Sequence, residues 1–424
     1  MGPRTRQQPL EHRLLLTATL CLLAGGAVMV YSASSARTLL EGHGDGTAYL
    51  VKYLMYGAVG LGVMHLLARH DLARVRRYTP MLLVAAFVML LLVLVPGIGV
   101  RVNGARRWLG AGPLQFQAAE VMKLALVLHA SAVLSGARRG APTLRRVARP
   151  IFLPGGCAVL LIAAQPDLGT ALVICFTLAA LLVAAGLPMR QLGLVAAAGA
   201  LFVLLFALFE PYRRARLTAF LNPWADAGGS GFQSVQGQIA IGSGGLFGLG
   251  LGESVQKIFY LPEAHTDFIL AVIGEELGMV GICGLLSLYG MIGYAGLRTA
   301  KAAKGAYAKL LATGLTSLIL SQALLNIYTV LGLAPLTGVP LPFISSGSTS
   351  LIVLLACMGL LLNVAQGGSA QLRPLRSDPK ARRDRVAATF SSSPIAHNST
   401  TSDVDPEEMN GSGTPVKGAR PRTA

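Results

Sequence analysis

The sequence predicts an all-α polytopic membrane protein of about ten transmembrane helices, with a long outer loop between the seventh and eighth and both termini cytoplasmic. Three observations carry this. The 424 residues are 53% hydrophobic and only 13% charged, where a soluble domain carries about a quarter charged residues; the mean hydropathy is +0.59. Apolar runs of roughly twenty residues, the length that crosses a bilayer as a helix, recur along the chain. Basic residues concentrate in alternating loops, as the positive-inside rule asks.

Taken in order, the spans fall at about 13–34, 48–69, 79–97, 115–136, 150–166, 169–188, 190–209, 267–297, 306–333 and 348–366, each long enough to cross with some tilt. The first has a basic flank, lacks a clear small-residue cleavage site and precedes many more spans, so it reads as a retained helix and not a signal peptide. Pro166, Asp167 and Leu168 alone divide the fifth span from the sixth, which implies a tight hairpin at the surface. With the amino terminus inside, Arg74, Arg76 and Arg77, then Arg138 to Arg149, Arg190, Arg298 to Lys309 and the tail all fall in the cytoplasm. Three regions result: a cytoplasmic segment 1–12, a membrane domain 13–366 with its outer loop at 210–266, and a polar tail 367–424 that reads as disordered.

The net charge of +17 sits mostly in those inner loops and the tail. It therefore reads as topology and contact with anionic lipid, and nucleic acid is excluded as a partner. The five cysteines all lie in apolar runs without CxxC spacing, so they read as small buried hydrophobes, neither disulfide framework nor metal site.

Some arginines defy the topology rule. Arg101, Arg106 and Arg107 precede the fourth span on the outside, and Arg213, Arg214 and Arg216 follow the seventh. The guanidinium fork suits bidentate recognition of phosphate; snorkelling at the interface is the other reading. The outer loop also carries a stretch at 213–224 that looks amphipathic and interfacial, with Trp224 as a belt residue. Its glycine-rich run GSGGLFGLGLG has no Lys-Ser/Thr after it and no strand before it, so it reads as re-entrant or flexible backbone packed on protein, not a P-loop.

Chemistry concentrates at 260–278, YLPEAHTDFILAVIGEELG, where a polar turn with Glu263, His265 and Asp267 feeds an apolar helix carrying Glu275 and Glu276. Carboxylates in or beside a span are costly and mark functional sites. Asp267 admits two readings: a helix cap, shared with Thr266, or a general base at the membrane–water boundary tuned by His265 and Glu263. Glu275 and Glu276 point to different sides, so at least one should pair with a basic or hydroxyl group on another helix. Glu120 and Lys123 share a face at i, i+3: a structural ion pair, or a polar pocket opening toward the headgroups. Pro340, Pro342 and the serines of 345–350 form an irregular outer segment, either breaking a helix or offering hydroxyls to a headgroup.

Seven blocks then carry a resemblance. NGARRWLG at 103–110, Gln117 with AAEVMK at 118–123, AQPDLGT at 164–170, EPYRRARLTAFLNPW at 210–224, GLGESVQK at 250–257, LPEAHTDFILAVIGEELG at 261–278 and GVPLPFISSG at 338–347 occur in family order. They resemble the SEDS proteins (shape, elongation, division and sporulation), the division type more than the elongation type. Two blocks depart: Gln-Pro-Ala-Glu is here Gln117-Ala118-Ala119-Glu120, and Ser-Tyr-Gly-Gly-Ser-Ser is here the 345–350 segment.

The resemblance implies a peptidoglycan glycosyltransferase of the bacterial cytoplasmic membrane, multi-pass and placed at the division septum. It would polymerise lipid II, an undecaprenyl-pyrophosphate-linked disaccharide peptide, into glycan strands on the outer face. It further implies a class B penicillin-binding protein and other division proteins as partners, and a divalent cation, Mg or Mn, as the one cofactor in question, with no protein metal site assigned. The family's catalytic aspartate maps onto Asp267, and substrate-binding positions map onto Arg107, Glu120, Lys123, Arg213, Arg216 and His265. The alternative from the residues alone is a flippase or transporter of the same precursor, which should line a path through both leaflets with helices broken near the midplane.

Overall fold

In hydrocarbon every backbone N–H and C=O must find its partner within protein, so apolar runs free of breakers become helices. The computed structural model describes residues 9–40, 47–102, 105–111, 114–136, 148–194, 197, 199, 219–229, 231–258, 261 and 264–367. Its helices are α1 (Leu10–Leu40), α2 (Thr47–Arg69), α3 (Leu72–Leu94), α4 (Ala118–Gly136), α5 (Leu153–Ala164), α6 (Leu168–Ala184), α7 (Phe232–Ser243), α8 (Ile269–Ala302), α9 (Ala306–Val330) and α10 (Ser348–Ala365). Seven of these are long and apolar enough to cross a membrane, and α5 and α6 are shorter apolar helices. The expected span at 190–209, nearly all of it, and the tail lie outside the described residues, as do Arg213, Arg214 and Arg216.

The all-helical expectation misses one element. Between α3 and α4 the chain forms an antiparallel sheet in the order β1 (Gly99–Val102), β2 (Ala105–Ala111) and β3 (Leu114–Gln117). The third span therefore ends at Leu94 and the fourth begins at Ala118, three residues inside its expected start. Alternating residues such as Arg106, Trp108 and Gly110 suit a pleated ribbon, and β2 pairs on both sides, Trp108 with Val100 and with Gln117.

The core gathers α1, α2, α8, α9 and α10 into one apolar cluster, while α3, α4, α5 and α6 build a second. Small residues bring helices close, as they do where lipid offers no hydrophobic drive: Gly359 of α10 lies against the backbone of Met64, and Gly60 of α2 against Leu355. Hydroxyls inside helices return to their own backbone, Thr19 to Leu15, Ser34 to Val30 and Thr38 to Ser34. At the end that loop charge assigns to the cytoplasm, Arg298 pairs with Glu11 at 3.2 Å, and Arg76 lies over the Tyr307 ring. All five thiols are free; Cys357 is buried, but Cys21, Cys157, Cys175 and Cys283 face outward, so apolarity there serves lipid contact and not a core.

The outer loop is not formless. At its start Pro223–Asp226 make a single 3₁₀ turn that exposes Trp224. α7 then leads into the glycine-rich run, which packs on a break in α8. At that break Gly278 takes φ 64°, ψ −160° inside an otherwise continuous helix, about 14 Å along α8 at 1.5 Å per residue. The freed backbone groups are taken up by the loop. Leu249 and Gly250 N–H donate to the carbonyls of Glu275 and Glu276 at 2.9 and 3.1 Å, and Met279 and Val280 N–H donate to those of Gly245 and Leu246. The glycine-rich run is thus backbone packed on protein, and its tip exposes Leu246 and Phe247, the latter 81%.

Such pairing needs bare backbone. A Cβ on Gly248, which sits at φ 81°, would stand 2.1 Å from the Glu276 carbonyl oxygen, whereas a Cβ on Gly242 would meet nothing within 4 Å. Gly248→Val should cost more than the roughly 1–3 kcal/mol of its strained φ alone and lower the thermal midpoint of the purified protein. Gly242→Ala, scanned beside it, should leave that midpoint in place.

Candidate active site

The site is built around an irregular loop, 334–347, that lies within the bundle. Val339, Leu341, Phe343, Ile344 and Ser345 are all buried, so its polar backbone must be satisfied by side chains. Polar residues spaced along the apolar spans do this. Asn326 Nδ2 donates to the Val339 carbonyl at 2.8 Å, Gln322 Nε2 to Pro340 at 3.0 Å, Tyr289 Oη to Pro342 at 2.6 Å and Tyr53 Oη to Phe343 at 2.5 Å. Gln322 and Asn326 lie four apart on α9 and so share one face. Sequence reasoning passed over all four. Their signal was a polar side chain inside an apolar run, which in a membrane faces protein.

Asp267 stands where the outer loop enters α8. It is half-buried, and its carbonyl accepts from the same Asn326 Nδ2 at 2.7 Å, which fastens it to the 339 carbonyl. The cap reading does not hold: Phe268 occupies the N-cap position, without a side-chain cap bond, and Thr266 Oγ1 donates to Asp267 Oδ1 at 3.2 Å. His265 lies beside it, edge-on to Tyr49 with ring centroids 4.7 Å apart, and its carbonyl accepts from Ser346 N–H and Oγ at 3.1 and 2.9 Å. Glu263 lies outside the described residues.

Arg107 reaches this corner from β2. Its Nε donates to the Gln165 carbonyl at 3.1 Å and its Nη2 to that of Pro166, which aims the fork. A Cβ built on Gly338, itself at φ 67°, would lie 4.0 Å from Arg107 Nη1 and 3.8 Å from Asp267 Oδ2. The guanidinium and the carboxylate thus both lie near one glycine. The 165–168 turn that holds Arg107 is not a plain surface hairpin: Gln165 and Asp167 are buried. Asp167 caps α6 through Thr170 N–H and also accepts from Gln117 of β3 at 3.2 Å, so the sheet grips the turn from two strands. Arg101 and Arg106 pair across β1 and β2.

Glu120 and Lys123 form an ion pair at 2.8 Å, 1% and 2% exposed. Among the described residues the pair reads as a structural ion pair: α4 turns both side chains inward, where a charged pair is less costly than against lipid, although Glu120 Oε2 is buried with no hydrogen-bond partner. Lys123 Nζ donates to Gln322 Oε1 at 2.6 Å, and Gln322 in turn holds Pro340 and Ser350. The pair thus supports the loop that carries Gly338. The serine-rich 345–350 segment is absorbed the same way, Ser345 into Leu341 N–H, Ser346 into His265 and Thr349 into Gln117 N–H of β3. Among the described residues no group of three or more His, Cys, Asp and Glu is placed to hold a metal ion.

Known proteins are similar to this chain in sequence and fold. The family model FTSW_RODA_SPOVE, described as a cell cycle protein, matches residues 12–369. Stage V sporulation protein E of Bacillus subtilis is 40% identical over 356 residues, 83% of this chain and 96% of that protein. The probable peptidoglycan glycosyltransferase FtsW of Coxiella burnetii is 40% identical over 358 residues, 83% of this chain and 95% of its own. A solved chain from a study of how a peptidoglycan synthase complex coordinates polymerization and crosslinking superposes with TM-score 0.70 at 33% identity, covering 84% of this chain and 98% of that one.

Replacing Asn326 by Leu would strand the buried Val339 carbonyl and the partly buried Asp267 carbonyl, a buried one being worth about 1–3 kcal/mol when left without a donor. Asn326→Leu should lower the unfolding midpoint in detergent by several degrees and loosen Asp267, seen as faster amide exchange at 264–268.

Proposed function

We propose that this chain, which belongs to the FtsW/RodA/SpoVE family, is a peptidoglycan glycosyltransferase that polymerises lipid II at the outer face of the cytoplasmic membrane during division. The observation that carries the reading is the meeting of Asp267 and Arg107 about Gly338 at the head of α8. A carboxylate that removes a proton and a guanidinium fork that meets phosphate are the two groups that sugar transfer from a pyrophosphate requires.

In the reaction, a sugar 4-hydroxyl attacks an anomeric carbon. The new C–O bond forms as the bond to the polyprenyl pyrophosphate breaks, that group leaving with the electron pair. Asp267 takes the hydroxyl proton. Arg107, already anchored on the carbonyls of Gln165 and Pro166, presents Nη1 to the departing pyrophosphate, and Arg213 and Arg216 belong to the same task. The Arg107 anchor matters because a preorganised charge costs no reorganisation when negative charge develops. A divalent cation fits the donor set on one condition: Mg²⁺ needs only one or two carboxylates besides substrate phosphates, which Asp267 and the pyrophosphate would supply between them. His265, with its carbonyl tied to Ser346, borders the acceptor side.

The similarity to FtsW supports the division role, and the similarity to a synthase complex supports a class B penicillin-binding protein as partner. A transporter would require a polar path through both leaflets. The break in α8 instead receives the glycine-rich loop, and Glu120 and Lys123 are closed off inside protein, which favours chemistry at one face.

The test is glycan-strand formation from lipid II by the purified full-length chain with a class B partner, with and without Mg²⁺ or Mn²⁺. Asp267→Asn should fall at least about a hundredfold, the scale of a lost general base, with an unchanged unfolding midpoint. Arg107→Lys keeps the charge but loses the fork and should fall by roughly tenfold to a hundredfold. Full activity in Asp267→Asn would sink the general-base assignment.

A further inference from the structure

Glu275 and Glu276 take no part in the chemistry above, yet both are 1% exposed within a membrane helix. Carboxylates so placed destabilise unless they are paired and fully bonded. Their partners lie almost entirely on one short stretch of the outer loop. Glu275 accepts from Ser254 Oγ at 2.5 Å and from the N–H groups of Val255 and Gln256 at 3.0 and 3.4 Å. Glu276 accepts from Lys257 Nζ at 2.8 Å and from Ser32 of α1 at 2.6 Å. Lys257 Nζ also donates to Ser32 Oγ and to the Gly252 carbonyl.

The backbone of the same two acids holds Leu249 and Gly250, as described above. The fastening then runs on toward the site. Leu261 N–H donates to the Gln256 carbonyl at 2.8 Å, and Leu261 and Ala264, six and three residues before Asp267, are buried. The chain that leads to Asp267 is therefore tied, ten to thirteen residues upstream at Ser254–Lys257, to the helix that Asp267 introduces.

We propose that Glu275, Glu276 and Lys257 are positioning residues, a two-carboxylate latch that fixes the 249–258 stretch on α8 and α1 and thereby sets where Asp267 stands against Arg107. The role rests on the transferase reading. It predicts an effect on kcat and not on KM: Asp267 acts in the transition state, while headgroup binding depends on groups the latch does not touch.

The test uses the full-length chain with its class B partner in nanodiscs. The double variant Glu276→Gln/Lys257→Met removes both charges together, so no buried ion is left unpaired, and Glu275→Gln weakens the second arm alone. Three quantities are read: amide exchange of peptides covering 249–268, kcat and KM for lipid II, and the unfolding midpoint. The expected result is faster exchange confined to that segment in both variants, with kcat lower by about tenfold to a hundredfold and KM unmoved. Unchanged exchange overturns the latch. Faster exchange with unchanged kcat, or a lower midpoint with kcat and KM intact, overturns the positioning role and leaves only a structural one. A wild type that forms no strands overturns the transferase reading itself, and exchange alone then decides whether the latch exists.

Discussion

The whole arrangement depends on one constraint: irregular backbone can enter a membrane protein only where protein supplies its hydrogen-bond partners. Among the described residues, two non-helical segments show how. The 334–347 loop is satisfied by side chains of Tyr53, Tyr289, Gln322 and Asn326, drawn from three different helices. The glycine-rich run is satisfied by backbone that α8 gives up at Gly278. For the 334–347 loop the donors Tyr53, Tyr289, Gln322 and Asn326 are all buried, so satisfying the backbone also fixes it in place.

That rigidity is what the site uses. Asp267 and Arg107 come from different elements, one at the head of α8 and the other on a small sheet. Neither is held by its own element alone: Asn326 binds the carbonyl of Asp267, and the 165–168 turn binds the fork of Arg107. Behind them stands a second layer in which Glu120 and Lys123 hold Gln322, and Gln322 holds the loop. Charges buried this deeply contribute little net stability. Their use is to fix a loop that apolar packing by itself would leave free to slide.

The outer loop follows the same logic. A long excursion between two spans would ordinarily be mobile, with its stability near zero. Here its glycine-rich half packs beside α8, and its GESVQK half hangs on adjacent carboxylates, so the stretch upstream of Asp267 is tethered to the helix that Asp267 introduces.

The chain's own composition determined the class of the fold, most of its spans and the residues worth suspecting. Twenty-residue apolar runs have one stable answer in lipid, and acids or arginines placed against hydrocarbon stand out because they are costly there. The pairing of Glu276 with a hydroxyl on another helix, Ser32 of α1, and the packing of the glycine run on protein were legible on the same grounds; that Lys257 of the outer loop would join them was not. Three further things were not. The sheet at 99–117 is too short and too polar to register against helical periodicity, and its pairing is non-local. The cap reading of Asp267 failed because cap position depends on where the helix begins, a matter of one residue that the loop around Phe268 decides. The inward turn of Glu120 and Lys123 depends on which face of α4 meets α9, and a span apolar on every side carries no signal for its own rotation. Tertiary packing alone could choose among these, because each is a question of which distant group satisfies a buried polar atom.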